Sequence, residues 1–200
     1  MSTQGDMKIK RAYSMTTRAE TAERTRLRIL DATVQLTGTT LVSDISLEKV
    51  AAAAGVSIQT VLRRFGSRDG LLDAAGEHAR TVVAEERRVP VGDVDAAVRT
   101  VVAHYEGRGD AVILLLAQEH ADERIRSITA EGRRFHVGWV EEVFAPYLPA
   151  GRAARDEQIA LLVVATDVYT WKLFRRDQGA SRAVTEQRME RLVRAVLDNT

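Results

Sequence analysis

SLEKVAAAAGVSIQTVLRRFGSRDGLL, residues 46–72, is the stretch on which the fold turns. Leu47, Val50 and Ala51 recur at the i, i+3, i+4 spacing of one apolar helix face. Gly55 follows where a left-handed C-cap residue belongs. Ser57 then offers a side-chain oxygen to start the next helix. Val61 and Phe65 give that second helix an inward side, which leaves Gln59, Thr60, Arg63 and Arg64 for the others. A short helix, a tight turn and a second short helix make a helix-turn-helix, whose second helix enters the major groove of DNA.

The same residues carry a resemblance. Ala54, Gly55, Val56, Ser57, Thr60, Val61, Phe65, Ser67, Arg68, Asp69, Leu71 and Leu72 fit A-G-V-S-x-x-T-(L/V)-x-x-x-F-x-S-(K/R)-(E/D)-x-L-L. That run closely resembles the N-terminal domain of the TetR family of transcriptional regulators. Upstream, RILDATVQL (residues 28–36) looks like the first helix of the family, and DVYTWKLFRRDQGASR (167–182) is similar to the C-terminal part of some members. Five positions depart from the pattern. Leu62 stands where a Tyr is usual, Arg64 for His, and Ile58 for Lys. Thr37 replaces an aromatic at the end of helix one, and Leu41 replaces a Gly in the turn after it, which predicts an altered turn there.

Composition sets the outer bounds. Two hundred residues fit one large domain or two small ones. With 45% hydrophobic and 28% charged residues the chain has material for a packed core. There is no cysteine, which removes disulfides and thiolate chemistry and fits a cytoplasmic protein. The longest apolar run, AVILLLA from Ala111 to Ala117, is far short of the roughly 18 to 20 residues that span a bilayer. No apolar segment follows the basic residues Lys8, Lys10 and Arg11, so neither a signal peptide nor a membrane partner is expected. Net charge is +1, but residues 1–72 hold 11 Lys and Arg against 7 Asp and Glu, while the remainder holds 18 against 21. A basic head on an acidic body suits a head that meets phosphates, although ordinary surface variation explains the same imbalance.

Along the chain, residues 1–18 are polar and aperiodic and read as a flexible N-terminal arm. The helix-turn-helix domain is expected over 19–66, and a helical effector-binding and dimerisation domain over 67–200. Ser67 caps a long fourth helix that ends before Pro90 and Gly92. In the body, Gly107 and Gly109 are expected to interrupt one helix and Asp110 to cap the next. Asp122 opens a helix that ends at Pro146, one long helix runs from Arg152 to Gln178, and Ser181 caps the last. No alternating strand pattern occurs, so the class is all-α.

The sites follow from geometry and from the resemblance. A helix N-terminus aimed at a phosphate works through its free N–H groups and dipole, which singles out Ser46, Ser57 and Ser67. Gln59 lies early on the recognition helix, where Gln pairs bidentately with adenine. By resemblance, Thr60, Arg64 and Arg68 face phosphates, Gln59 and Arg63 lie near bases, and Leu62 meets a thymine methyl or simply packs. The plainer reading of each arginine is a solvated charge. The resemblance also implies a small-molecule effector bound in the body. Tyr105, Gln118, Phe135, His136, Trp139 and Asp167 are the polar or aromatic groups on apolar faces there. They suit an aromatic or lipophilic compound, or else are ordinary core. It further implies a homodimer through the last two helices, with Thr166, Tyr169, Leu173, Leu192, Val193 and Val196 at the interface, unless those stripes face the core of their own chain.

Enzymes fit poorly. No Glu has a His three residues later, as a di-iron bundle requires. The four histidines, His78, His104, His120 and His136, have no metal-ligand spacing. GRGDAV at Gly107 lacks the third glycine of a dinucleotide fingerprint. The expectation is a ligand-responsive, homodimeric regulator, most simply a repressor, that binds a palindromic double-stranded DNA operator without cofactor or metal. A helical adaptor or scaffold is the alternative; it accounts for the helices but not for residues 46–72.

Overall fold

The computed structural model describes residues 3–198, with side chains from residue 19 onward. Among the described residues there are nine α-helices and no strand: α1 (Thr3–Thr37), α2 (Leu47–Ala54), α3 (Ile58–Phe65), α4 (Arg68–Glu86), α5 (Val94–Gln118), α6 (Glu123–Val143), α7 (Arg152–Ala165), α8 (Val168–Lys172) and α9 (Arg182–Asp198). They form two compact units, Met1–Ala79 and Arg80–Thr200, so the dividing line runs within α4 and not at its start. The side chains of the arm expected over 1–18 lie outside the described residues; the backbone from Thr3 belongs to α1, where helix one was expected to begin near residue 19.

The head unit is built by its caps. Ser46 Oγ accepts the Lys49 N–H at 3.3 Å and starts α2. At the other end Gly55 takes φ 62°, ψ 42°. Its N–H reaches the Ala52 carbonyl and the Val56 N–H the Ala51 carbonyl, two bonds that close the helix with a left-handed residue. Ser57 Oγ then accepts the Thr60 N–H at 3.2 Å to start α3, and Ser67 Oγ accepts the Gly70 N–H at 3.0 Å to start α4. Ile29 and Leu30 of α1, Val50 and Ala54 of α2, Val61 of α3 and Leu71 of α4 are buried together with Val42 and Ile45. The altered turn after α1 is a short 3-10 turn at Val42–Asp44, with Leu41 exposed in front of it.

The body unit is organised by α5, which packs on α6, α8 and α9, while α7 packs on α6 and α9. Val98, Val101, Val102, Val140, Phe144, Leu162, Trp171, Met189 and Val193 form its core. Two expectations for the body reverse. α5 runs unbroken through Gly107 and Gly109. Gly109 is buried because Trp171 lies on it: a Cβ there would fall 2.3 Å from Trp171 Cζ3. Asp110 caps nothing and instead pairs with Arg176 at 2.9 Å. Conversely, the helix expected over 152–178 is broken at Thr166 and Asp167. Asp167 Oδ1 accepts the Tyr169 N–H at 2.8 Å and starts α8 as a new helix, which leaves through a π turn at Leu173–Asp177.

The segment after α4 is tied down. The Trp139 indole donates to the Arg87 carbonyl at 2.8 Å, the Gly92 N–H to the Val143 carbonyl at 2.7 Å, and the Tyr147 hydroxyl to the Gly92 carbonyl at 2.8 Å. The end of α4 is therefore fastened to α6 rather than hanging on a tether.

Candidate DNA interface and buried body cluster

α3 turns Val61 into the head and its other side into water. Ser57, Gln59, Leu62, Arg63 and Arg64 are exposed and Thr60 is half-buried. Ser57, Gln59, Thr60 and Arg63 line one shallow depression. Thr60 Oγ1 lies 2.9 Å from Ser57 Oγ, so the two hydroxyls hold each other at the start of the helix. Neither Arg63 nor Arg64 makes an ion pair or side-chain hydrogen bond among the described residues. Two adjacent guanidinium groups, unpaired among the described residues, in the last turn of an exposed, capped helix are what a phosphate backbone and guanine edges require.

Arg68 behaves differently from its expected part. Its Nε donates to the Ile45 carbonyl at 2.6 Å and a terminal nitrogen donates to the Val42 carbonyl. Its guanidinium is engaged by the carbonyl of Val42 in the 3-10 turn and that of Ile45 just after it, and so is tied to the segment before α2 where a phosphate contact was expected. Ser46 is half-buried and spends its oxygen on the α2 cap.

The family model described as bacterial regulatory proteins, tetR family, matches residues 29–75, which contain α2, α3 and the turn between them. Over 155 residues the chain is 32% identical to the HTH-type transcriptional repressor LfrR of Mycolicibacterium smegmatis, covering 67% of this chain and 81% of that one. The chain belongs to the TetR family. Its fold is that of a TetR-family regulator from Streptomyces coelicolor (TM-score 0.65, 22% identity, 88% of this chain and 96% of that one). It is equally that of a transcriptional regulator from Rhodococcus sp. Rha1 (TM-score 0.63, 18% identity, 87% and 96%). A TetR-family chain is a DNA-binding transcription regulator and not an enzyme, which displaces the adaptor reading. No helix among the described residues is long and apolar enough to cross a membrane.

In the body of this TetR-family chain, four of the six residues expected at an effector site gather around a residue that sequence reading passed over. Arg87, the first residue after α4, is 4% exposed. Its guanidinium lies 4.2 Å from the Trp139 ring centre, 5.7 Å from Phe135 and 6.0 Å from Tyr105. It donates to His136 Nδ1 at 2.9 Å. Arginine only donates, so His136 carries its proton on Nε2, which lies 3.2 Å from Thr166 Oγ1. That hydroxyl passes its own hydrogen to the Leu162 carbonyl at 2.7 Å. A directed chain thus runs from the end of α4 to the break between α7 and α8, and the Tyr105 hydroxyl joins it at the Thr166 carbonyl. Burial and the Arg87 charge push His136 down to about 3. Burial foremost, then Arg87, takes His104 to about 4, and burial raises Tyr105 to about 12.

Arg87 has no carboxylate ion pair among the described residues, and its Nε–H is buried without a partner. Glu86 is taken by Arg108, at 2.6 and 2.8 Å, and by His104 Nδ1 at 3.1 Å. Asp167 acts on Arg87 through space alone. Removing an ion from water costs several kcal/mol, and a desolvated cation–π contact returns about 2 kcal/mol. The charge is left under-compensated. Asp167 itself caps α8, and burial raises its carboxyl. Gln118 stays apart, at the last residue of α5 and bonded to the Leu114 carbonyl, about 20 Å along the helix from Tyr105.

The residues expected at a dimer interface divide. Thr166 and Val193 are wholly buried in the core of their own unit, so neither reaches a partner surface, and Val196 is half-buried. Tyr169, Leu173 and Leu192 are exposed. Leu161 and Val164 of α7, the latter 63% exposed, are exposed apolar residues outside the expected set.

Proposed function

We propose that this chain is a repressor that binds a palindromic operator as a homodimer and leaves it when a small molecule enters the body. The single observation that carries the DNA half is the pair of unpartnered guanidinium groups, Arg63 and Arg64, on an exposed helix beside Gln59. The name of the Mycolicibacterium smegmatis relative supports the sign of regulation. Exposed Leu161, Val164, Tyr169, Leu173 and Leu192 on the last helices support a second copy as the partner, because exposed large apolar side chains gain by being covered. The rings around Arg87 support an aromatic or lipophilic effector. The site of action is the cytoplasm, where chromosomal DNA is.

The release step rests on α4, whose first residues belong to the head unit and whose last belong to the body unit. Two recognition helices about 34 Å apart match one turn of DNA. An effector that displaces α4 in the body changes that spacing. Operator and effector then oppose each other by the same factor in both directions.

Selection of bound fragments from random duplex DNA tests this reading. The expected outcome is an inverted repeat protected by a species of twice the 22.1 kDa chain mass in sedimentation. An asymmetric site bound by a monomer would remove the symmetric mechanism.

A further inference from the structure

We infer that Arg87 is the anchor for a carboxylate, and that the effector is a small organic anion with an aromatic or lipophilic body. The inference deepens the proposal that the body takes an effector, and rests on it. Arginine presents planar N–H pairs that fit a carboxylate through two parallel bonds. Here Arg87 is 4% exposed, its Nε–H is buried without a partner, and its hydrogen-bonded neighbour is a neutral imidazole. Buried cations are ordinarily paired, so the missing partner defines the chemistry of what belongs there.

The surroundings choose the rest of the molecule. Trp139, Phe135 and Tyr105 supply apolar ring surface around the charge. Phe135 is 37% exposed, so the cluster is one ring away from solvent. A cationic compound is disfavoured twice, because the ring faces already hold a cation and that cation repels another. Placement gives the anchor its leverage. Arg87 continues α4, with its N–H on the Val83 carbonyl at 3.0 Å. Through His136 it also reaches Thr166, where α7 ends. A carboxylate that draws the guanidinium toward itself acts on the last turn of α4 and on that break together.

Thermal melting of the full-length chain followed by circular dichroism tests the anchor. The probes are naphthalene-2-carboxylate and decanoate, their primary amides, and naphthylmethyl-trimethylammonium. Comparison of the two acids separates an aromatic from a fatty-acyl effector. At least one carboxylate should bind about tenfold or more tightly than its amide, the range expected for hydrogen bonds to a charged group. The ammonium should not bind. In Arg87→Met the preference for acid over amide should disappear, and the unliganded protein should melt no lower than wild type, because an uncompensated buried charge is gone. Arg87→Lys, which keeps the charge and loses the fork, should retain a reduced preference. Equal binding of acid and amide, tighter binding of the ammonium, no binding of either acid at millimolar concentration, or a preference that survives Arg87→Met overturns the anchor. A carboxylate that binds through Arg87 but leaves operator affinity unchanged upholds the anchor and removes the release mechanism. A neutral compound that frees DNA while both acids fail to bind does the reverse.

Discussion

Arg63 and Arg87 are both arginines without a carboxylate partner among the described residues, and their surroundings make them opposites. Arg63 stands on the exposed side of an eight-residue helix, in water, where an unpaired charge costs nothing and stays available to a polyanion. Arg87 is held among three aromatic rings and a neutral histidine, where the same charge is expensive. The head keeps Arg63 and Arg64 hydrated on a capped helix and offers them outward. The body stores an electrostatic debt in its core. A surface that meets a polymer needs only position, whereas a buried site gains selectivity from what it leaves unsatisfied.

The largest expected effect tests the body side of that contrast. His104 faces Glu86, Arg108, Arg87 and the Tyr105 ring, and His136 faces Arg87, Thr166, the Val163 carbonyl and the Trp139 ring. Both are depressed in the folded chain, to about 4 and about 3, from an ordinary 6.5. Their contribution is complete above pH 6.5 and is lost as pH falls from there toward 4, because the unfolded chain takes up protons that the folded body refuses. Two such groups cost about 3 kcal/mol between pH 7.5 and 5.5. Both tryptophans, Trp139 and Trp171, lie in the body unit, so their fluorescence during urea unfolding follows that unit alone. Stability that stays level over this range would mean the cluster is hydrated, and the contrast with Arg63 would disappear.

The next effect tests the head side. Arg63→Ala should weaken operator binding by about 1–3 kcal/mol and relax the base preference at one position of each half-site. Arg64→Ala should weaken all sequences alike and lower the salt slope of binding by about one. Tryptophan-monitored stability should not change for either. If both variants bind like wild type, the exposed guanidinium groups are ordinary surface charge and the head contacts DNA elsewhere.

Legibility in the sequence followed the same division. The head was readable because its determinants are local: Ser46, Gly55, Ser57 and Ser67 act within three or four residues of themselves, and each took the cap its type implies. Arg68 was the exception, since its partners lie 23 and 26 residues away. The body misled where distant packing overrode a local signal. Gly109 looked like a helix breaker and is the seat for Trp171. Asp167 is a good N-cap residue, but it lay inside the single helix expected from Arg152 to Gln178. Arg87 had one usable signal, its place four residues after Val83 on the inward side of α4, and nothing nearby showed that Trp139, 52 residues on, would cover it. Thr166 and Val193 belonged to apolar stripes whose direction, toward a partner or toward their own core, periodicity does not encode.

The smallest expected effect sharpens the claim that the head offers its charges through rigid, well-capped helices. Ser57 Oγ holds both the Thr60 N–H and the Thr60 hydroxyl. Ser57→Ala removes one cap, worth about 1 kcal/mol of helix stability, and frees Thr60 to turn. If α3 acts as a preset rod, the loss appears in operator affinity at roughly that size while Ser57→Asp, which caps equally well, restores the helix but places a negative charge beside the DNA backbone. The two variants therefore separate order from electrostatics. Ser57→Ala should lose affinity nearly independently of salt, and Ser57→Asp should lose more at low salt than at high. A matching salt dependence for both would show that the serine contributes through charge environment alone, and that the first turn of α3 is not what positions Gln59 and Arg63.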